Sequence, residues 1–215
     1  MTSAPLSPDA IEQALNAQVV DKEGRSHQFG ELVQGRRTAV VFVRHWWCGV
    51  CQAYVKQLHK VIPPESLGST SLIIIGCGGA PPIHNYIDLT QTPFDVYGNP
   101  SLDLYRAFGF KSNLGSSKPG QEKEYEKDLG GSWARLWHGL KEGPMRHIGH
   151  AGSVGPKAQN GGEVVFEQDG SVSFFHRMEH TADHIELKEL AAALGVQAGQ
   201  ADPAEAVACD SGVKV

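Results

Sequence analysis

The stretch TAVVFVRHWWCGVCQAYVKQL, residues 38–58, contains the two patterns that decide the fold. Residues 38–46 read as a continuous apolar run rich in β-branched side chains, which predicts a strand buried on both faces. Over residues 49–62 the apolar side chains recur at helical spacing and Pro63 follows, so an amphipathic helix is predicted there. Cys48 and Cys51 therefore lie at the junction between a buried strand and a helix.

Strands and helices alternate after this unit. SLIIIGCGG (71–79) predicts a second buried strand, PPIHNYIDLTQ (81–91) a helix, FDVYGN (94–99) a short strand and PSLDLYRAFGF (100–110) another helix. A chain that alternates in this way favours an α/β sandwich whose central sheet contains parallel strands.

The two ends of the chain add further elements. SPDAIEQALN (7–16) predicts a first helix capped by Ser7. GGEVVFEQDGSVSFFHRM (161–178) predicts a β-hairpin, because EQDG separates two apolar runs. TADHIELKELAAALG (181–195) predicts a closing helix with Thr181 as N-cap and Gly195 at its end.

Two segments break the regular pattern. Residues 111–162 are rich in Gly, Ser and Lys, so we interpret them as an insertion that contains one amphipathic helix, SWARLWHGLKEG (132–143). Residues 197–215 are small and polar and are predicted to be disordered. The sequence thus predicts a single domain over residues 1–196.

Composition excludes several classes of function. Of the 215 residues 40% are apolar and 20% charged, with a net charge of −5, as is ordinary for a soluble globular protein. The sequence has no dense Lys/Arg run of the kind that indicates nucleic-acid binding, and it has no apolar run long enough to span a membrane. The first residues lack the features of a secretory signal, so a cytoplasmic location is predicted. In a reducing compartment a close cysteine pair favours catalysis or metal binding over a structural disulfide.

The position of the cysteine pair predicts redox chemistry. A thiolate at a helix N-terminus is stabilised by unpaired backbone N–H groups and by the helix dipole, which lower its pKa. Cys51 lies one turn further on and can attack a mixed disulfide or a sulfenic acid formed on Cys48. Arg44 and His45 can add positive charge, although strand alternation lets only one of them face the site.

Zinc binding and a pair of inert buried thiols are the alternatives. A structural zinc site takes four Cys or His ligands at compact spacing, and no second Cys-x-x-Cys is present. His176, His180 and His184 recur every four residues, but they do not share a helical face, because His176 falls on a predicted strand and His184 in the predicted closing helix. We therefore predict no metal and no other cofactor.

The same residues carry a resemblance to known proteins. WCGVC (47–51) resembles the thioredoxin active site, with Val50 where proline is usual, and residues 40–58 resemble the peroxiredoxin-like AhpC/TSA antioxidant group. LIIIG (72–76), VYGNPSLDLYRAFGF (96–110) and FFHRMEHTADH (174–184) are also similar to that group. The resemblance covers about residues 10–195. It implies a thioredoxin-like fold, a central mixed sheet flanked by helices, with an N-terminal extension and the mid-chain insertion.

The resemblance implies a thiol-dependent oxidoreductase that reduces a peroxide or a disulfide. The partners would be a reductant of the thioredoxin or glutathione type and a peroxide, disulfide or small-molecule substrate; a homodimer is one option for the assembly. Catalytic candidates are Cys48, Cys51, Arg44, His45 and Arg177, with a surface ion pair to Glu179 or Asp183 as the alternative for Arg177. Substrate-binding candidates are Trp47, Gly49, Val50 and Gly162.

The sequence also departs from the better-known relatives. Peroxiredoxins usually carry Pro and Thr seven and three residues before the reactive cysteine, where this chain has Val41 and His45. Thioredoxins tend to bury an aspartate where Phe42 stands, so a proton acceptor for Cys51 is missing unless His45 replaces it. Gly162 occupies the position of their cis-proline. These departures keep a second function open: a thioredoxin-fold protein recruited to a specialised small-molecule role, biosynthetic and not necessarily redox.

Overall fold

The computed structural model describes residues 3–116, 123–127 and 148–197. Short 3-10 helices cover Pro64–Ser66 and Ile148–Ser153. No helix of the described ranges is long and apolar enough to cross a membrane. The α-helices and strands are α1 (Pro8–Leu15), β1 (Gln18–Val20), β2 (Ser26–Gln28), α2 (Phe29–Val33), β3 (Thr38–Val43), α3 (Gly49–Val61), β4 (Ser71–Gly76), α4 (Ile83–Thr90), β5 (Asp95–Gly98), α5 (Asp103–Ala107), α6 (Glu124–Lys127), β6 (Gly162–Phe166), β7 (Val172–Arg177) and α7 (Leu187–Leu194).

The strands form one mixed sheet in the order β2-β1-β5-β4-β3-β6-β7. Strands β3, β4 and β5 run parallel, as the β-α-β pattern of the sequence predicts, and β6 and β7 form the predicted hairpin, antiparallel to β3. Strand β1 pairs antiparallel with both β2 and β5. The predicted α/β fold with a central mixed sheet flanked by helices is therefore confirmed.

The central strand β3 is buried on both faces and separates two hydrophobic cores. Val41 and Val43 face one core together with residues of α3, α4 and α7. Val40 and Phe42 face the other, where α1, α2 and α5 pack. Period-two alternation of a fully apolar strand explains this division, since each side chain has a core to enter whichever way it points.

Strand β3 is shorter than the sequence predicts. It ends at Val43, because the next backbone N–H groups leave the sheet: the N–H of Arg44 donates to Cys51 Sγ at 3.5 Å, and the N–H of Trp46 donates to the Val154 carbonyl at 3.1 Å. Residues 44–48 are therefore a connection between β3 and α3, and side-chain direction in it does not follow strand alternation.

The closing helix also begins later than predicted, at Leu187, and Thr181 is not its cap. The Tyr125 hydroxyl lies 2.9 Å from the Ala182 carbonyl oxygen and 3.3 Å from that of His184, and the Ile185 N–H donates to a Glu163 carboxylate oxygen at 3.4 Å. These long-range bonds hold residues 182–185 in a non-helical path. At the other end of the chain the predicted Ser7 cap of α1 is present, with its hydroxyl accepting from the Ala10 N–H at 3.2 Å.

Some predicted features lie outside the described residues. They are the amphipathic helix at 132–143, which belongs to the predicted insertion, and the tail from residue 198 onward, which contains Cys209.

Trp46 fixes the connection between β3 and α3 to the sheet. Its indole is buried, packs on Tyr86 at a centroid distance of 5.0 Å and donates from Nε1 to the Gly79 carbonyl at 3.0 Å. A Cβ atom on Gly76 or Gly78 would come within 2.4 Å of the indole ring. The glycines after β4 therefore provide the space that Trp46 fills.

We expect Gly78→Ala to destabilise the protein by about 1–3 kcal/mol, because over-packing forces the indole to move. Gly79→Ala is the matched control, since the nearest atoms to its added Cβ lie 3.7 Å away, at ordinary contact distance. Urea unfolding followed by circular dichroism measures both. Equal stabilities of the two variants would show that Trp46 does not occupy this space.

Candidate active site

Cys48 lies at the N-cap position of α3. Its backbone N–H donates to the His45 carbonyl at 3.0 Å, and its own carbonyl accepts from the Gln52 N–H at 3.0 Å, the first hydrogen bond of the helix. Its side chain is 4% exposed. The sulfur is thus held next to the unpaired N–H groups of the first helical turn, the position that the sequence predicts for a reactive thiol.

The guanidinium of Arg44 contacts the Cys48 sulfur directly, with Nη1 donating to Sγ at 3.3 Å. Its other N–H groups are also used: Nε donates to the Gln159 carbonyl at 3.2 Å and Nη2 to the Lys157 carbonyl. Arg44 is buried, so this cation is removed from water and needs compensating partners. A thiolate on Cys48 supplies the opposite charge.

The two thiols of the motif ionise very differently. The pKa of Cys48 is well below its ordinary value, chiefly because the Cys51 thiol donates a hydrogen bond to it; burial opposes this effect, and the Arg44 charge adds to it. Burial raises the pKa of Cys51, and its hydrogen bond to Cys48 raises it further. These opposite shifts favour ionisation of Cys48 before Cys51.

His45 is buried beside this pair, and burial lowers its pKa. It is close enough to interact electrostatically with Cys48, and so is Arg44. The prediction that only one of the two can face the site assumed that strand geometry continued to Trp46, whereas β3 ends at Val43; of the two, Arg44 is the one that hydrogen-bonds Cys48.

A group of residues that sequence analysis missed lies on the other side of Cys51. His184 Nε2 is 3.4 Å from Cys51 Sγ, and His184 Nδ1 is 2.6 Å from Glu163 Oε1. The second carboxylate oxygen of Glu163 is 2.8 Å from His176 Nδ1. Cys51, His184 and Glu163 are all inaccessible to solvent. Cys51, rather than Cys48, is thus the thiol that has an imidazole–carboxylate pair next to it.

Glu163 is ionised inside the core. Burial alone would raise the pKa of this carboxyl, but its electrostatic and hydrogen-bond interactions with His184, and those with His176, outweigh burial and lower the pKa to about 2. The sequence contains a signal for this: in GEVVF the side chain of Glu163 alternates with Val164 and shares a face with Val165, which lies in the core. A carboxylate on the buried face of a strand requires hydrogen-bonding partners.

The other predicted catalytic residue, Arg177, contacts different groups. Its guanidinium donates twice to the Phe108 carbonyl, at 3.1 and 2.7 Å, and lies 4.9 Å from the centroid of the Phe175 ring. In the described part of the chain Glu179 pairs instead with Lys111, and Asp183 with Lys123.

The predicted substrate-binding residues fall into two groups. Trp47, Gly49 and Val50 are partly exposed around Cys48. Gly162 is buried in the sheet, paired with both Phe42 and Arg177, where a Cβ would lie 2.1 Å from the His176 carbonyl oxygen. Among the described residues no peptide bond is cis, so Gly162 does not reproduce the backbone of the cis-proline whose position it takes.

Cys77 is a buried thiol at the end of β4, and burial raises its pKa to about 12. Its Sγ lies 3.9 Å from the Pro156 carbonyl oxygen. These properties are those of an unreactive core thiol. No group of three or more His, Cys, Asp or Glu within the described ranges has the geometry to hold a metal ion.

The fold and the dithiol at the start of α3 define a thioredoxin-fold protein. Known structures support the fold: a cysteine-to-serine mutant of Xanthomonas campestris Peroxiredoxin Q superposes with a TM-score of 0.55 at 9% identity, covering 91% of this chain and 96% of that one. Peroxidoxin BcpB from Mycobacterium tuberculosis gives 0.52 at 10% identity, covering 90% and 94%.

Sequence comparison gives the family. The family model described as AhpC/TSA antioxidant enzyme matches residues 52–180. Peroxiredoxin-like 2C of Mus musculus is 32% identical over 83% of this chain and 77% of its own length, and the Homo sapiens protein is 30% identical over 92% and 87%. The chain belongs to the AhpC/TSA, peroxiredoxin-like family. Because the family match begins at Gln52, the assignment of roles to the two cysteines rests on geometry.

We expect Arg44→Met to raise the pKa of Cys48, because the thiolate loses a hydrogen bond and the nearby positive charge. Alkylation of Cys48 by iodoacetamide, followed against pH by peptide mass spectrometry, should shift to higher pH and slow several-fold at pH 7. Arg177→Met is the matched control and should leave the profile in place. Identical profiles for wild type and Arg44→Met would show that the arginine does not stabilise the thiolate.

Proposed function

We propose that the protein is a thiol-dependent peroxidase. The Cys48 thiolate attacks the terminal oxygen of a hydroperoxide, the O–O bond breaks, and an alcohol or water leaves after taking up a proton. Cys48 becomes a sulfenic acid. Cys51 then attacks Cys48 Sγ, the S–S bond forms and the sulfenic hydroxyl leaves as water. Two thiols have then supplied the two electrons that the peroxide accepts.

The contact between the Arg44 guanidinium and Cys48 Sγ is the observation that carries this proposal. It stabilises the reactive thiolate next to a second thiol whose raised pKa keeps it protonated. When the two thiols differ in pKa in this way, the ionised one can attack the oxidant and the protonated one can then form the disulfide with it. Inert thiols in a core need neither property.

Access to the sulfur favours a small oxidant. Cys48 is 4% exposed, and Trp47 beside it is partly buried. A hydroperoxide needs only a narrow approach to the sulfur, whereas a protein disulfide needs an exposed sulfur in line with its S–S bond. Peroxide is therefore the preferred substrate class, and reduction of small disulfides is the second.

The cycle closes when an external thiol reduces the Cys48–Cys51 disulfide. We propose a reductant of the thioredoxin or glutathione type in a reducing compartment, in keeping with the cytoplasmic location predicted from the sequence. Attack on Cys48 Sγ would release Cys51, and a second thiol of the reductant would then free Cys48.

We expect one equivalent of hydrogen peroxide to convert the reduced protein to the Cys48–Cys51 disulfide, as mapped by peptide mass spectrometry. Cys51→Ser should stop at a Cys48 sulfenic acid that dimedone traps, because the attacking thiol is gone. Cys48→Ser should consume no peroxide. Cys77→Ser is the matched control and should react as wild type does, because burial makes that thiol unreactive.

A Cys209→Ser variant shows whether the C-terminal thiol takes part, and we expect it to form the same disulfide. Peroxide consumption by Cys48→Ser at the wild-type rate would contradict the proposal. If Cys48→Ala/Cys51→Ala still converted a metabolite, the specialised small-molecule function would be favoured instead.

A further inference from the structure

We propose that His184, oriented by Glu163, is the base that takes the proton of Cys51 when Cys51 attacks Cys48. In the opposite direction it is the acid that returns the proton when the disulfide is reduced. The inference rests on the proposed Cys48–Cys51 cycle and adds to it a catalytic residue, His184, and a positioning residue, Glu163.

The hydrogen bonds of Glu163 determine which nitrogen of His184 is free. Because the carboxylate is ionised, the nitrogen facing it, Nδ1, carries the proton and donates at 2.6 Å. In a neutral imidazole the other nitrogen then has a lone pair. That nitrogen, Nε2, is the one 3.4 Å from Cys51 Sγ. The arrangement therefore gives Cys51 an acceptor for its proton.

Aromatic side chains hold the imidazole in this orientation. Tyr54, one turn after Cys51 on α3, stacks on the His184 ring with centroids 4.3 Å apart and planes 14° apart. Tyr125 meets Tyr54 edge-on at 5.0 Å, and its hydroxyl hydrogen-bonds the backbone of residues 182–184. With its face covered by Tyr54, the imidazole keeps an edge toward the thiol, which is the geometry that proton transfer requires.

The Cys51 thiol has one proton and two acceptors. In the reduced protein the Cys48 thiolate accepts it, which lowers the pKa of Cys48. Once Cys48 has reacted with an oxidant its negative charge is gone, and His184 Nε2 is the remaining acceptor. Loss of that charge also removes two of the causes that keep the pKa of Cys51 high. Reaction at Cys48 thus prepares Cys51 for deprotonation.

The attack of Cys51 on a modified Cys48 can also be started by a reagent other than peroxide. Methyl methanethiosulfonate methylthiolates Cys48: its S–S bond breaks, methanesulfinate leaves, and a Cys48–S–SCH3 adduct forms. Transfer of the Cys51 proton to His184 Nε2 then frees the Cys51 thiolate. It attacks Cys48 Sγ, the protein disulfide forms, and methanethiolate leaves.

The experiment follows these two steps separately by quenched flow and mass spectrometry. His184→Gln should form the adduct at the wild-type rate but lose it about a hundredfold more slowly, the order of magnitude expected for a general base. His176→Gln is the matched control: it also removes an imidazole from Glu163 but touches neither sulfur, so the adduct should decay near the wild-type rate. Glu163→Gln should give an intermediate rate.

The pH dependence distinguishes a base from a structural support. In His184→Gln the Cys51 thiol must lose its proton to solvent before it attacks the Cys48 adduct. The rate of adduct decay should therefore rise about tenfold per pH unit, more steeply than in the wild type. Several other titratable or charged groups lie next to His184 or next to its partners. Their effect on the pH dependence of the second step is the same in the wild type and in the variant. They are Cys51, Arg44, Tyr54, Tyr125, Glu163, His176 and Asp183.

The outcomes are distinct. Decay of the adduct in His184→Gln at the wild-type rate and with the wild-type pH dependence would overturn the role of His184, whether or not the protein reduces peroxide. A uniform slowing with unchanged pH dependence would also overturn it, since that is the effect of lost packing. An adduct that persists in the wild type would overturn the dithiol cycle itself. Slow, steeply pH-dependent decay in His184→Gln alone supports the proposal.

Discussion

The contact between the buried Arg44 guanidinium and the Cys48 sulfur is the interaction on which the rest of the site depends. A cation in the interior is stable only with an opposite charge and with its N–H groups used. Arg44 meets both conditions through the Cys48 thiolate and through the carbonyls of Lys157 and Gln159. Arg44 therefore adds to the lowering of the Cys48 pKa that the Cys51 hydrogen bond causes, and its other N–H groups tie the segment before β6 to the start of α3.

A second buried charge lies on the far side of the dithiol. Glu163 on β6 is inaccessible to solvent, and the imidazoles of His184 and His176 offset the cost of its burial. Cys51 connects the two parts of the site: its sulfur accepts from the backbone N–H of Arg44 and lies 3.4 Å from Nε2 of His184, the imidazole that pairs with Glu163. The apolar side chains of the sheet exclude water from the Arg44 guanidinium and the Glu163 carboxylate, which strengthens the electrostatic effect of both groups on the thiols.

The strand, the helix and the cysteine pair that form the site could be predicted from the sequence, because the patterns that indicate them are local. Residues 38–61 contain a buried strand, a helix and two cysteines in one continuous stretch, and the structure has all of them in that order. The contacts of Arg44 with residues 157–159 could not be predicted, since no local pattern places those carbonyls. His184 was assigned to a helix from its helical periodicity, whereas a hydrogen bond donated by Tyr125 and another accepted by Glu163 hold its segment out of the helix. Long-range bonds of this kind override local propensity.

We expect Cys48 and Cys51, three residues apart, to ionise at very different pH values. A titration of Cys-selectively 13C-labelled reduced protein, followed through the Cβ chemical shifts, measures both pKa values at once, with Cys77 as a reference that titrates only near its raised pKa of about 12. We expect the Cys48 resonance to move at a pH well below the range of an ordinary thiol and Cys51 to stay protonated above that range. Resonances of Cys48 and Cys51 that move together near the ordinary thiol value of about 8.5 would contradict it.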